Sequence, residues 1–249
     1  MLLLAFLTGC TETTETTPYD EDTTEVGLIV AYEDGAEPFT GTIGPTSIDT
    51  WGLYNTNISA LFAGTGIATP FPDTLDEMTA MGTIEDANYT AERIIELADE
   101  HLAVEPEAGV VTYRALWLDG YLEVDGEADT SILGVSISGT SVIAMFKPVI
   151  DSTSDLEPVA AYSEQAVILH EVGHALGLVN SGVEMVTDHQ DTDNGHHCTA
   201  DQCVMYYANE GTADLVEFIQ QYVTTGDEVI FDDLCVDDIQ GALGTDTGS

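Results

Sequence analysis

His170-Glu171-Val172-Gly173-His174-Ala175-Leu176-Gly177-Leu178 decides how the rest of this chain is read. Residues four apart on an α-helix lie on one face about a turn apart, so both imidazoles can reach a single metal ion. Glu171 stands beside the first of them, where a carboxylate can act as general base on water activated by that ion. The pattern predicts a helix over Ser163 to Leu176, with Glu164 in its first turn and Gly177 as its C-terminal stop. Five of the six histidines fall between positions 170 and 197, which concentrates metal-binding capacity in one region. The plain alternative for two imidazoles at this spacing is a solvated helix face.

Carried through Gly177, the run resembles the metzincin motif HExxHxxG in the form found in matrixins. In that family the glycine lets the chain leave the helix and turn back towards zinc, and a third His follows shortly after. Here that position is Asn180, a departure from the family pattern. A second match lies downstream. His197 and Met205 are eight residues apart, in His197-Cys198-Thr199-Ala200-Asp201-Gln202-Cys203-Val204-Met205-Tyr206. This resembles the third ligand and Met-turn of archaemetzincins, and Met-Tyr also occurs in matrixins. The resemblance implies that residues 178 to 196 form an expanded loop of 19 residues and that His197 restores the third ligand. His189 inside the loop is the alternative third ligand, and His196 points elsewhere. Asp188, Asp191 and Asp193 in the loop could bind a cation, but acids in this composition are usually solvated surface.

A third match, Leu234 to Gly244 with Asp237-Asp238-Ile239-Gln240-Gly241, resembles the closing helix of matrixins. The resemblance as a whole spans Val159 to Gly244. Its implications are one catalytic Zn2+ on His170, His174 and His197, Glu171 as catalytic base, Met205 in a Met-turn, and Tyr207 as a candidate contact to metal or oxyanion. A further structural cation is left open. Archaemetzincins hold a second zinc on four cysteines. Here the distal segment supplies only Cys235, which implies that this site is absent and that a Cys198–Cys203 or Cys203–Cys235 disulfide replaces it.

The implied fold is α+β: a metzincin-like zincin with a twisted mixed sheet, an active-site helix and a small C-terminal lobe carrying the Met-turn and a terminal helix. The pattern supplies elements for it. Val26 to Tyr32 is a β-prone run. Ala87 to Leu102 carries apolar residues at helical spacing, with Asp86 as a cap. Val110 to Leu118 reads as a strand, followed by a turn at Asp119-Gly120 and a strand over Tyr121 to Val124. Ile132 to Ile137 and Val142 to Pro148 are strand-like, and this segment is the candidate edge on which an extended peptide would lie. Thr212 to Val223 and Phe231 to Leu243 read as helices. Glu33 to Ile84, rich in Gly, Pro and Thr, yields no clear organisation.

The chain has 249 residues, 46 of them acidic and only 3 basic, for a formal charge of −43. Arg93, Arg114 and Lys147 are the only cations, so neither a phosphate backbone nor an anionic lipid surface finds counter-charge here. Surface salt bridges are too few to matter. Self-repulsion of this size opposes a compact state, yet 44% of residues are hydrophobic, a globular composition. Molar salt, where screening acts over about 3 Å, reconciles the two and points to a halophile.

Residues 2 to 8 are apolar and lead into Gly9-Cys10, resembling a lipobox that would make Cys10 the lipidated residue. At about 1.5 Å per residue the run reaches roughly 10 Å, far short of about 30 Å of hydrocarbon. It lacks a basic flank, consistent with a start codon placed too far downstream. The domain reading is therefore 1–10 signal segment, 11–25 acidic Thr-rich tether, and 26–249 catalytic domain, divided at 177/178. The expectation is a cell-surface, lipid-anchored monomer acting on protein or peptide, touching membrane only through its anchor and not binding nucleic acid. Its rival is a non-catalytic zinc-binding surface lipoprotein.

Overall fold

Residues 19, 22–43, 48–225 and 229–244 are described by the computed structural model. Cys10, the 1–10 segment and most of the 11–25 stretch lie outside them. The strands are β1 (Glu25–Glu33), β2 (Thr42–Ile43), β3 (Ile48–Asp49), β4 (Thr79–Gly82), β5 (Asn88–Tyr89), β6 (Val110–Leu118), β7 (Tyr121–Val124), β8 (Glu127–Asp129), β9 (Gly134–Ser136) and β10 (Val142–Phe146). The helices are α1 (Thr50–Leu61), α2 (Ala91–His101), α3 (Lys147–Asp151), α4 (Glu157–Ala175), α5 (Thr212–Thr225) and α6 (Asp233–Ala242).

The main sheet has the order β4-β1-β6-β10-β9, so the architecture is α+β with a twisted mixed sheet. Its first four strands are parallel, and β9 runs antiparallel along one edge. The hydrophobic runs of β6 and β10 suit strands covered on both faces. All five residues of β10 are buried, with α2 and α4 both packed against that strand. β7 follows the turn at Asp119-Gly120 as expected, but it leaves β6 and joins β5 and β8 in a separate small sheet.

Several boundaries move. The packed chain begins before Val26: Tyr19 is buried, its hydroxyl donating to the Leu176 carbonyl at 2.7 Å, and β1 starts at Glu25. α2 starts four residues later than its apolar pattern suggests. Thr90, not Asp86, caps it, accepting from the Arg93 amide at 3.2 Å. Asp86 instead accepts from the Arg93 side chain at 2.8 Å. In the stretch that resisted reading, α1 buries Trp51, Leu53, Tyr54, Ile58 and Leu61. Asn57 on α1 accepts from the Ile230 amide at 2.7 Å, and Gln240 of α6 donates to the Ala60 carbonyl at 3.2 Å. These bonds clamp the C-terminal segment onto α1.

Few as they are, the three cations are all engaged. Arg93 pairs with Asp86, and Arg114 with Asp99. Lys147 and Glu164 form a buried pair at 2.7 Å, in which Glu164 also accepts from the Phe39 amide. This pair joins the start of α3 to α4, below the helix turn that carries His170.

Candidate metal centre

The last two turns of α4 carry His170, Glu171 and His174 on a helix whose end is built by Gly177. Its φ of 85° is a left-handed conformation open to glycine. The Gly177 amide donates to the His174 carbonyl and the Leu178 amide to the Gly173 carbonyl, each at 3.0 Å, a Schellman termination. The chain then turns through Val179 and Asn180, both at positive φ, and Asn180 donates to the Gln190 side chain at 3.1 Å. Asn180 is thus spent on folding the loop.

The loop returns His197 to the helix. Ring centroids lie 4.7 Å apart for His170 and His174, 5.2 Å for His170 and His197, and 4.9 Å for His174 and His197. Backbone carbonyls fix two of the tautomers. His170 Nδ1 donates to Val204 O and His197 Nδ1 to Asn194 O, each at 2.7 Å. A carbonyl can only accept, so these rings carry their proton on Nδ1 and present an Nε2 lone pair to the cluster. His174 Nε2 meets His170 Nε2 at 3.1 Å, and the buried His197 Nε2 meets Glu210 Oε1 at 3.2 Å. Ligand atoms converging within 4.8 Å of one another are what a cation would satisfy. The nitrogen donor set suits zinc.

Burial favours the neutral form of His170 and His174. Burial, then the neighbouring His197, pushes His170 down to about 4. Burial and the other imidazoles push His174 well below its usual range. Burial also works against His197, but the Glu210 carboxylate outweighs it and the net shift is upward. Glu171 is buried beside the cluster. Burial and then the charge of Glu210 push its carboxyl up to about 8, against a hydrogen bond from the Ser136 amide. That bond ties Glu171 to edge strand β9. Gly134 in the same strand passes so near that a Cβ there would sit 3.0 Å from Glu171 Cγ.

Below the cluster, Met205 is fully buried with its sulfur against Gly173 of α4. Asn209, also buried, donates to the carbonyls of Cys203 and Val204 at 3.1 and 3.0 Å. It therefore holds the same Val204 carbonyl that orients His170. Tyr207 is 38% exposed, its ring against Tyr206 at 4.8 Å. His196 Nδ1 donates to the Val179 carbonyl at 3.1 Å.

His189 is not with the three imidazoles. It lies in a second buried group, where His189, Cys198, Asp232 and Cys235 offer ligand atoms within 4.8 Å of one another. Cys203 joins them, its sulfur 3.6 Å from that of Cys235. Neither expected disulfide is present: Cys198, Cys203 and Cys235 are all free and buried. Hydrogen bonding among the three sulfurs lowers the Cys198 thiol and raises those of Cys203 and Cys235. His189 Nδ1 faces Cys198 Sγ at 3.2 Å, and its Nε2 meets Asp238 at 2.8 Å, which pushes the ring up to about 10. Three sulfurs and an imidazole are a soft donor set suited to a closed zinc site. His189, from the expanded loop, stands beside these cysteines.

The residues the sequence reading missed are Asn209, Glu210, Asp232 and Asp238. Among 46 acids nothing singles out Glu210, and only the three-dimensional placement does.

No protein-family model matches this chain, and neither does any curated protein. Among solved structures it is similar to a zinc-dependent peptidase from Methanocorpusculum labreanum (strain Z). Identity is 13%, the TM-score is 0.39, and the alignment covers 78% of this chain and 99% of that one.

Proposed function

We propose that the chain is a zinc-dependent endopeptidase of metzincin type, with His170, His174 and His197 as metal ligands and Glu171 as general base. The observation that supports this most directly is the convergence of three imidazoles, two of them buried with carbonyl-fixed tautomers, beside a buried carboxyl pushed up to about 8. Zinc held there would polarise a scissile carbonyl and acidify water. Glu171, ionised beside the cation, would take that proton and deliver it to the leaving amine. The Ser136 amide keeps the carboxyl aimed while it does so. Among the described residues β9 pairs only with β10 in the main sheet, so its outer edge can receive an extended peptide running beside Glu171. Gly134 lets that edge approach the helix.

His189, Cys198, Cys203 and Cys235 are proposed to hold a second, structural ion, with Asp238 orienting His189. Cell-surface attachment through Cys10 and function in molar salt complete the reading. They rest on the N-terminal sequence and the charge of −43. A non-catalytic metal-binding role leaves the buried, oriented Glu171 without a purpose.

The test is a peptide-library assay in molar salt. Glu171→Gln should keep its zinc and lose hydrolysis by about 10²–10⁴-fold, the usual weight of a general base. Full activity in that variant refutes the assigned mechanism.

A further inference from the structure

Glu210 belongs to the imidazole cluster. It ends the short 3₁₀ turn Tyr207–Glu210 that follows Met205, and its ligand oxygen lies within 4.8 Å of the ligand nitrogens of His170, His174 and His197. The nearest approach is 3.2 Å, from Glu210 Oε1 to His197 Nε2. A shared proton or a shared cation can bridge that contact, and the approach of the His170 and His174 nitrogens to the same group favours the cation.

The distances fit such an ion. Ligands at about 2.0–2.1 Å from a tetrahedral zinc stand about 3.3 Å from each other. Two edges of this group match: His174 Nε2 to His170 Nε2 at 3.1 Å and His197 Nε2 to Glu210 Oε1 at 3.2 Å. With all four ligand atoms within 4.8 Å of one another, the Glu210 oxygen is within reach of the same ion as the three imidazoles. The side chain is nevertheless 58% exposed, so it can swing into solvent without unpacking the core. Asn209, next in the chain, is pinned by its two carbonyl bonds and holds the turn still while the Glu210 side chain moves.

We propose that Glu210 is a fourth metal ligand that caps the three-imidazole site at rest and is displaced when substrate enters. A catalytic zinc site normally keeps one position open. Here the chain supplies its own occupant for that position. This inference rests on the metal reading above but goes beyond it, since it assigns a resident ligand and a resting state that no motif in the chain encodes.

The experiment compares zinc-loaded wild type with Glu210→Gln. Zinc affinity is measured against a competing chelator, and acetohydroxamate binding by calorimetry. The closed thiol group offers that probe no position. Loss of the cap should weaken zinc binding about tenfold, the lower range for losing an outer metal partner, and tighten acetohydroxamate by at least that factor. Equal affinities in both proteins for both probes overturn the cap while leaving the three-imidazole site standing. Zinc content unchanged in His170→Ala and His174→Ala overturns the site itself, and the cap with it.

Discussion

The sulfur of Met205 rests on the bare Cα of Gly173, one turn position before His174. A Cβ built at 173 would overlap that sulfur and come within 3.2 Å of the Phe231 ring. The contact explains why a glycine stands inside the helix that carries His170 and His174, where it costs up to about 1 kcal/mol against alanine.

Gly173→Ala is therefore expected to destabilise the protein by about 1–3 kcal/mol through overpacking, despite the better helix propensity of alanine. Thermal unfolding in molar salt measures it. A gain in melting temperature would show that Met205 is not seated as described.

The two histidine groups should come apart by mutation. His197→Ala should lower metal affinity at the imidazole site and leave the thiol group intact, while His189→Ala should do the reverse. Metal content with a thiolate-sensitive probe such as Co2+ reads each site separately. Loss of the same ion in both variants contradicts the division.

The three late cysteines should be reduced in the native protein. Alkylation in denaturant without reductant, followed by peptide mapping, should modify Cys198, Cys203 and Cys235 fully. Any one of them recovered in a disulfide-linked peptide from freshly purified, unoxidised protein argues against the cluster.

Lys147→Met should cost about 3–5 kcal/mol at neutral pH, because it leaves the Glu164 carboxylate buried without its counter-charge. The sign with pH follows from the carboxyl. Burial already raises Glu164 above 4.5, and Lys147 is the main influence lowering it, so the variant raises it further. The folded state then holds the proton more tightly than the unfolded one. The deficit should grow as pH rises through the elevated value and shrink as pH falls towards about 4.5. Adding Glu164→Leu should recover much of the loss, since the pair itself contributes little net stability. A deficit that does not vary with pH would place the damage in packing instead.

Much of the architecture was legible because the signals are local. Val110–Leu118 is recovered residue for residue, since a β-branched run bounded by a Gly and an Asp-Gly turn permits little else. The HExxH helix was legible from spacing, though the structure extends it back to Glu157, where Pro158 sits in the first turn. α1 escaped because Gly52, Thr50 and Asn residues dilute its apolar face, and that face is made by Trp51, Tyr54, Ile58 and Leu61 meeting residues far away in the chain. The return of His197 was legible only through its distance to Met205. The partition between His189 and His197 was not, because it depends on which carbonyl or carboxylate each ring meets. Cysteine spacing suggested a bridge, and it could not show that an imidazole 9 residues before Cys198 completes a cluster instead. Counting cations likewise discounted salt bridges, whereas a single buried pair beneath α4 needs only one lysine.

The return of the loop also has a topological meaning. An ion on His174 and His197 would close a ring of chain between residues 174 and 197. One on His189 and Cys235 would close another between 189 and 235, and the two rings overlap. Each closure removes freedom from the unfolded chain as a covalent cross-link does, with more effect for the longer ring. Metal-ligand bonds form only with deprotonated donors, so such links open in acid or under a chelator and need no redox partner. For this C-terminal segment, stripping metal and unfolding would be a single event.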